Sequence, residues 1–382
     1  MDRRTFIATG ASASAALLVG GCNQNHRQAI DYSKHPSQIT ENACSNNSGA
    51  QKKVTLRLAT SWPAGFPIMG TGIERFAERV KAASGGTLNI KIYPKETLVP
   101  ALAVFDAASS GEIDAFHSGP YYWKGKNSAF ALFSGTPFGL TSEEINSWML
   151  FGGGMELWRE MYAAHNLYPF LGGNTNVQMG GWFRKPINSL ADLKGLKMRI
   201  PGIGGEVMSR LGVNPVLLAA GEIYPALERG MIDATEWVGP ALDLQMGFYK
   251  VAKYYYSGWH EPGSVLELTF NKQVWEKLSP EHQAIIQIAS EEMNNRMSLE
   301  FHAKNIDALQ EIQKMGIQIN AFPTDVNIAA KKALDDYLRY ESGRNSAFKR
   351  VYTTMDEYLK KSRAWSNVGL NQFLNVREAV SL

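Results

Sequence analysis

Cysteine is almost absent: the 382-residue chain carries two, Cys22 and Cys44, too few for a thiolate metal site. The 7 histidines never fall at zinc-ligand spacing, so a zinc centre built on them is excluded as well. Charge of one sign is equally scarce. The 39 Lys and Arg against 36 Asp and Glu leave a net charge of +3, and no Lys/Arg run interleaves with aromatics, which removes the usual footprint of nucleic-acid binding. Catalytic signatures are missing too: no Gly-x-Ser-x-Gly elbow, no His-Glu-x-x-His, and no glycine-rich nucleotide fingerprint after the first predicted strand. The carboxylate pairs Glu143-Glu144 and Glu291-Glu292 read as solvated helix faces. The chain reads as a binder and not as an enzyme.

With 45% hydrophobic and 20% charged residues the chain is globular, and its length predicts two lobes or a large domain with an appendage. Residues 1–22 read as an export signal. Arg3-Arg4-Thr5-Phe6-Ile7 precedes a run of small and apolar residues, ending Leu18-Val19-Gly20-Gly21-Cys22, that is too short for a permanent membrane helix. The paired arginines resemble a twin-arginine signal, and the Gly-Cys close resembles a lipobox whose Cys22 is lipidated; an ordinary secretory signal is the competing reading. Residues 23–52 are polar and read as a disordered tether. A bridge from Cys44 to Cys22 would exclude lipidation, and no structural disulfide is expected.

Alternation begins at Val54-Thr55-Leu56-Arg57-Leu58 and breaks at Ser61-Trp62-Pro63. A helix with Ile73, Phe76, Ala77 and Val80 on its apolar face follows, then a strand at 88–93 and a helix at 99–110. This order implies a parallel sheet with crossover helices. Ligands collect beyond the carboxyl ends of such strands, so Tyr121 and Tyr122, after the short strand 113–117, are candidate cleft walls; packing against Phe130, Phe133 and Phe138 is the alternative. His117 is expected to satisfy a backbone group. Gly152-Gly153-Gly154 lacks the Lys-Ser/Thr of a phosphate loop and reads as a bend or hinge.

The middle of the chain carries the chemistry. In Asn174-Thr175-Asn176-Val177-Gln178 a connecting turn leads to another strand, and the amides of Asn176 and Gln178 are placed to face a cleft. Alternation puts Leu196, Met198 and Ile200 on one face and Lys197 and Arg199 on the other, immediately before Pro201, where a guanidinium can fork onto a carboxylate. In Asp233-Ala234-Thr235-Glu236-Trp237-Val238-Gly239-Pro240 an apparently buried carboxylate adjoins a large aromatic. A small organic anion and its counter-cation would need such a set.

The order Asp192-Leu193-Lys194-Gly195-Leu196-Lys197-Met198-Arg199-Ile200-Pro201, Leu211-Gly212-Val213-Asn214-Pro215, Glu222-Ile223-Tyr224-Pro225-Ala226-Leu227-Glu228-Arg229-Gly230 and Ile232-Asp233-Ala234-Thr235-Glu236 resembles the DctP-type solute receptors of tripartite ATP-independent periplasmic (TRAP) transporters, over roughly residues 54–350. The resemblance implies that Arg199 clamps a ligand carboxylate. Gln178, Glu236-Trp237 and Tyr254-Tyr255-Tyr256-Ser257-Gly258-Trp259-His260-Glu261-Pro262-Gly263 resemble the 2-oxo-acid and lactate branch, where a sodium or calcium ion bridges protein and substrate. Here its ligands would be Gln178, Glu236 and the Trp237 backbone oxygen. Glu267, opposite its leucines in Val265-Leu266-Glu267-Leu268, is the first choice for one further ligand and Glu261 the second; neither is the glutamine of the family. Trp237 could also stack over a short acyl chain.

The expected architecture is α/β: a two-lobed periplasmic binding protein fold, type II-like, with hinge strands and a long C-terminal helical tail. Residues 53–175 are expected mainly in lobe 1, 176–270 mainly in lobe 2, 271–324 as a helical return to lobe 1 and the hinge, and 325–382 as C-terminal helices. The tail is apolar, with Gly343 as a kink. It either pairs two copies in a homodimer, as the resemblance suggests, or packs back on its own lobes. The resulting expectation is an exported periplasmic receptor, delivering a small 2-oxo or 2-hydroxy monocarboxylate to membrane permease subunits. A receptor for another organic acid or polyol, and a secreted hydrolase, are the alternatives.

Overall fold

The computed structural model describes residues 52–381. The segment read as an export signal, with Cys22, and the segment read as a tether, with Cys44, lie outside the described residues as far as residue 51. The strands are β1 (Val54–Thr60), β2 (Leu88–Tyr93), β3 (Ala115–Ser118), β4 (Leu167–Asn174), β5 (Gly181–Phe183), β6 (Lys197–Arg199), β7 (Asn214–Val216), β8 (Ala234–Thr235), β9 (Tyr254–Tyr256), β10 (Val265–Asn271) and β11 (Gln318–Asn320). They form two sheets, ordered β2-β1-β3-β10-β4 and β11-β9-β5-β8-β6-β7. With helices on each, this is the two-lobed α/β arrangement expected from the sequence.

The first sheet begins as predicted. β1 pairs in parallel with β2 and β3, and the helix Met69–Ala83 crosses between β1 and β2 with Ile73, Phe76 and Val80 buried. β10 then enters antiparallel between β3 and β4. All seven of its residues are buried, because a central strand is covered on both faces. β10 therefore lies in the first sheet, and the return from the second lobe comes before residue 265, earlier than the boundary at 270 read from sequence. In the second sheet β6 pairs in parallel with β7 and β8, while β5 runs antiparallel to β8 and β9.

Two segments cross between the sheets side by side, residues 175–180 and 257–264. Thr175 N donates to Ser264 O (3.0 Å), Gln178 N to Glu261 O (2.9 Å) and Gly180 N to Tyr256 O (2.8 Å). The approach is so close that a Cβ at Gly258 would overlap the Gln178 carbonyl oxygen. The helix Pro280–Lys314 braces both lobes: it packs on β4 and the helix Met69–Ala83, and on the helix Pro240–Met246 of the second lobe, where Asn305 Oδ1 accepts from Ala241 N (2.9 Å).

The triple glycine separates the helices Ser142–Phe151 and Gly154–Ala163, with Gly153 at φ 89. The first of these starts on a capping box between Thr141 and Glu144. The tail forms the helices Thr324–Arg344, Ser346–Val368 and Leu370–Val380. Its first break falls at Asn345 and not at Gly343, because the Asn345 side chain accepts from the amides of Ala347 and Phe348. Leu334, Tyr337, Leu338, Phe348 and Val351 are buried against the protein's own lobes. The last helix buries nothing, and Trp365, Val368, Leu370, Phe373, Val376 and Val380 remain exposed. The tail thus divides into a part that packs back and a part that stays uncovered.

Candidate functional site

Arg199 ends β6 on the face opposite Met198 and Ile200, as alternation predicts, yet its side chain is only 1% exposed. The other face of this strand end is a cleft closed by the first lobe. Parallel pairing of β6 with β8 sets Arg199 opposite Thr235, and Glu236 N donates to Arg199 O (2.9 Å). Arg199 Nη1 donates to the Glu236 carbonyl oxygen (2.8 Å) and to Glu236 Oε2 (3.1 Å), and Nε faces the Leu218 carbonyl at 3.4 Å. Its guanidinium lies 4.9 Å from the Trp237 ring centroid. On the first lobe the turn Pro120–Trp123 brings Tyr121 and Tyr122 edge to face at 4.6 Å, and the Tyr122 hydroxyl lies 3.5 Å from Arg199 Nη2. Burial raises both phenol pKa values.

Gln178, on the first crossing segment, is buried. Thr175 Oγ1 donates to Asn176 O (3.3 Å), so it accepts from Gln178 Nε2 (2.8 Å). The amide orientation is thereby set, and Gln178 Oε1 has no partner. Glu236 is fully buried and its Oε1 is likewise unpartnered, 3.5 Å from His260 Nε2 without forming a hydrogen bond. Burial pushes the Glu236 carboxyl up to about 8 although Arg199 opposes the shift. Glu261 is pushed up to about 7, again mainly by burial, with Glu236 adding to it and His260 opposing. Trp237 is buried with Nε1 unpartnered.

Two residues expected at the site lie elsewhere. Glu267 is spent in the core of the first lobe: Oε1 accepts from Trp123 Nε1 (2.5 Å) and Oε2 from Thr269 Oγ1 (2.7 Å). The reason is the position of β10, which as a central strand has no face toward the cleft. Of the two carboxylates considered, Glu261 is the one that shares surroundings with Arg199 and Glu236. Asn176 also turns away. Its Nδ2 donates to Ser298 O (2.6 Å) and its Oδ1 accepts from Ser298 Oγ (2.7 Å), so both ends of the amide are consumed on the bracing helix.

Sequence reasoning missed Trp62 and His260. Trp62 meets Trp237 edge to face across the cleft at 6.5 Å. Its Nε1 donates to His117 Nδ1 (2.7 Å), while His117 Nε2 donates to Gly172 O (2.8 Å), the backbone role expected of that histidine. Burial lowers the His117 pKa to about 4, keeping the ring neutral. The signal available for Trp62 was its place at the first strand-end break. Further out, Lys124 and Glu206 form an ion pair between the turn after β3 and the helix Gly202–Arg210. They flank a groove of about 360 Å³ that Tyr121, Tyr122, Pro201 and Leu217 also line.

The residues present fit a hard cation. Such an ion takes oxygen ligands, and Gln178 Oε1 and Glu236 Oε1 are acceptor oxygens left bare in a buried cluster. Among the described residues no group of three or more His, Cys, Asp and Glu could hold a metal, and an amide–carboxylate–carbonyl set does not require one.

The model of the bacterial extracellular solute-binding protein family 7 (DctP) matches residues 58–343. A monocarboxylate 2-oxoacid-binding periplasmic protein from a Nostoc strain is 38% identical over 371 residues, 96% of each chain. A TRAP periplasmic solute-binding protein from Colwellia psychrerythraea, with bound calcium and pyruvate, superposes at TM-score 0.83 with 40% identity over 85% of this chain and 99% of that one. A counterpart from Pseudoalteromonas atlantica, with bound sodium and pyruvate, matches at the same TM-score of 0.83, 40% identity, 85% and 99%.

Proposed function

The chain belongs to bacterial extracellular solute-binding protein family 7, and on that premise we propose that its cleft binds a small 2-oxo or 2-hydroxy monocarboxylate of the pyruvate, lactate or 2-oxobutyrate type. It is a periplasmic TRAP receptor, not an enzyme, and hands its ligand to membrane permease subunits. Arg199 holds the carboxylate; Tyr121, Tyr122 and Trp237 wall the ligand. A sodium or calcium ion, when bound by Gln178, Glu236 and the Trp237 backbone oxygen with Glu261 beside them, supplies positive charge shared between the protein and the ligand's carboxylate and 2-oxygen.

One observation carries the reading: two buried acceptor oxygens, Gln178 Oε1 and Glu236 Oε1, stand without partners beside a buried guanidinium. Unpaired buried acceptors are costly, and a cation chelated by a 2-oxo carboxylate satisfies both. The uncovered apolar stripe from Trp365 to Val380 supports pairing of two copies through the last helix.

Titration calorimetry with pyruvate and longer 2-oxo acids, before and after stripping cations and restoring sodium or calcium, tests the proposal. Binding should vanish on stripping, return with the ion, and weaken in Arg199→Ala and Glu236→Ala. Equal binding of propanoate, which lacks the 2-oxygen, would move the reading to a general organic-acid receptor.

A further inference from the structure

His260 is the feature of the cleft that the ion and the arginine leave unexplained. Its side chain is 1% exposed, and neither Nδ1 nor Nε2 has a hydrogen-bond partner. Glu236 Oε1 lies 3.5 Å from Nε2 without forming a hydrogen bond to it. Trp259 meets the ring edge-on at 5.8 Å, and Gly204 of the helix Gly202–Arg210 is packed so near that a Cβ there would lie 3.4 Å from Cδ2. The charged groups facing the ring are Glu236, Glu261 and Arg199. Burial lowers its pKa, and a neutral imidazole offers one N–H donor and one acceptor.

The donors of Arg199 show what is missing. Nη1 is committed to the Glu236 carbonyl and carboxylate and Nε faces the Leu218 carbonyl, so only Nη2, with a long contact to Tyr122, is left for a ligand. A guanidinium with both edges free could fork onto a carboxylate; this one cannot. A 2-oxo carboxylate presents three oxygens with two lone pairs each, and the two N–H groups of Nη2 plus a cation leave some of these lone pairs for further donors.

Resting on the 2-oxo carboxylate reading above, we propose that His260 is a ligand-binding residue, donating one ring N–H to an oxygen of the bound carboxylate. A hard cation takes the oxygens of Gln178 and Glu236 in preference to an imidazole nitrogen, which assigns the ring to the ligand and not to the ion. The placement has a mechanical side. Gln178 lies on the crossing segment 175–180 and His260 on its neighbour 257–264, so an ion and its ligand held by both would tie together the two segments that join the sheets.

The test is calorimetry with pyruvate at saturating calcium on the wild type, His260→Phe and His260→Gln. It is paired with the calcium-induced melting shift in the absence of pyruvate and with melting of the cation-free protein. His260→Phe should weaken pyruvate binding by about tenfold to a hundredfold, leave the calcium response and the cation-free melting temperature near wild type, and be partly rescued in His260→Gln, whose amide keeps an N–H. The proposal is overturned if His260→Phe binds pyruvate as the wild type does, if its calcium response and melting temperature fall together with pyruvate binding, or if the glutamine rescues nothing. A wild type that binds no 2-oxo acid with any ion brings down the functional reading itself. That outcome is distinct from a wild type that binds and a variant that equals it.

Discussion

Glu236 makes ion binding a proton exchange. With its carboxyl pushed up to about 8 by burial, the residue is protonated at neutral pH when no ion is present, and an ion that takes its oxygens must expel that proton. Each pH unit below 8 then weakens the ion about tenfold, about 1.4 kcal/mol. At pH 6 calcium should bind about a hundredfold more weakly than on the plateau above pH 8, a difference of about 3 kcal/mol. Calorimetry at saturating pyruvate in two buffers of different ionisation enthalpy reads both quantities; near pH 6.5 about one proton should leave per ion. Glu261, pushed to about 7, would steepen the dependence below pH 7 if it is also a ligand, so the slope distinguishes one carboxylate from two. Folding responds in the opposite sense. A carboxyl raised in the folded state contributes stability that is full below its unfolded value and lost as pH rises through the folded one, so ion-free protein should melt lower at pH 8 than at pH 6. An ion affinity unchanged from pH 6 to 8.5, with no proton released, would refute the reasoning.

Glu267, also raised to about 7 but tied to Trp123 and Thr269, should impose a similar pH dependence that no ligand relieves. Glu267→Gln should flatten the stability profile between pH 5 and 8 and raise stability at pH 8 by up to about 3 kcal/mol in denaturant titrations. Gly258→Ala should separate the crossing segments, cost about 1–3 kcal/mol and weaken pyruvate, since the added Cβ overlaps backbone that cannot rotate aside; unchanged melting would contradict the close approach. Phe373→Asp with Val376→Asp should convert a dimer to monomers in sedimentation without altering pyruvate affinity, because neither residue is near the cleft.

Much of the site was legible because it obeys local rules. Alternation along 196–200 and the proline after it located Arg199, and the same strand pairing carried Glu236 to its side. Glu267 misled because alternation marks two faces without saying whether either meets a cleft; only the insertion of β10 between β3 and β4, a pairing across the whole chain, shows that both are interior. Asn176 misled for a similar reason, since its partner Ser298 lies on a helix far along the sequence. His260 had no periodicity to announce it. It stood inside the stretch Tyr254 to Gly263 that resembles the 2-oxo-acid branch, and the meaning of the residue appears only when the buried ring is found with both nitrogens bare.

The interlacing of the sheets also dictates an order of assembly. Residues 115–118 of β3 and 167–174 of β4 do not pair with each other; the gap between them is filled by β10, which follows strands β5 to β9 of the second lobe in the chain. A nascent chain stopped before residue 265 therefore holds an opened first sheet with two unsatisfied edges, which are sticky to other chains. Closing that gap requires pairing across a long loop, the step that slows folding. The second lobe, by contrast, needs only β11 at an edge to be completed. The chain should thus collapse in its middle before its beginning is finished, and a chaperone would find its client surface at the edges of β3 and β4.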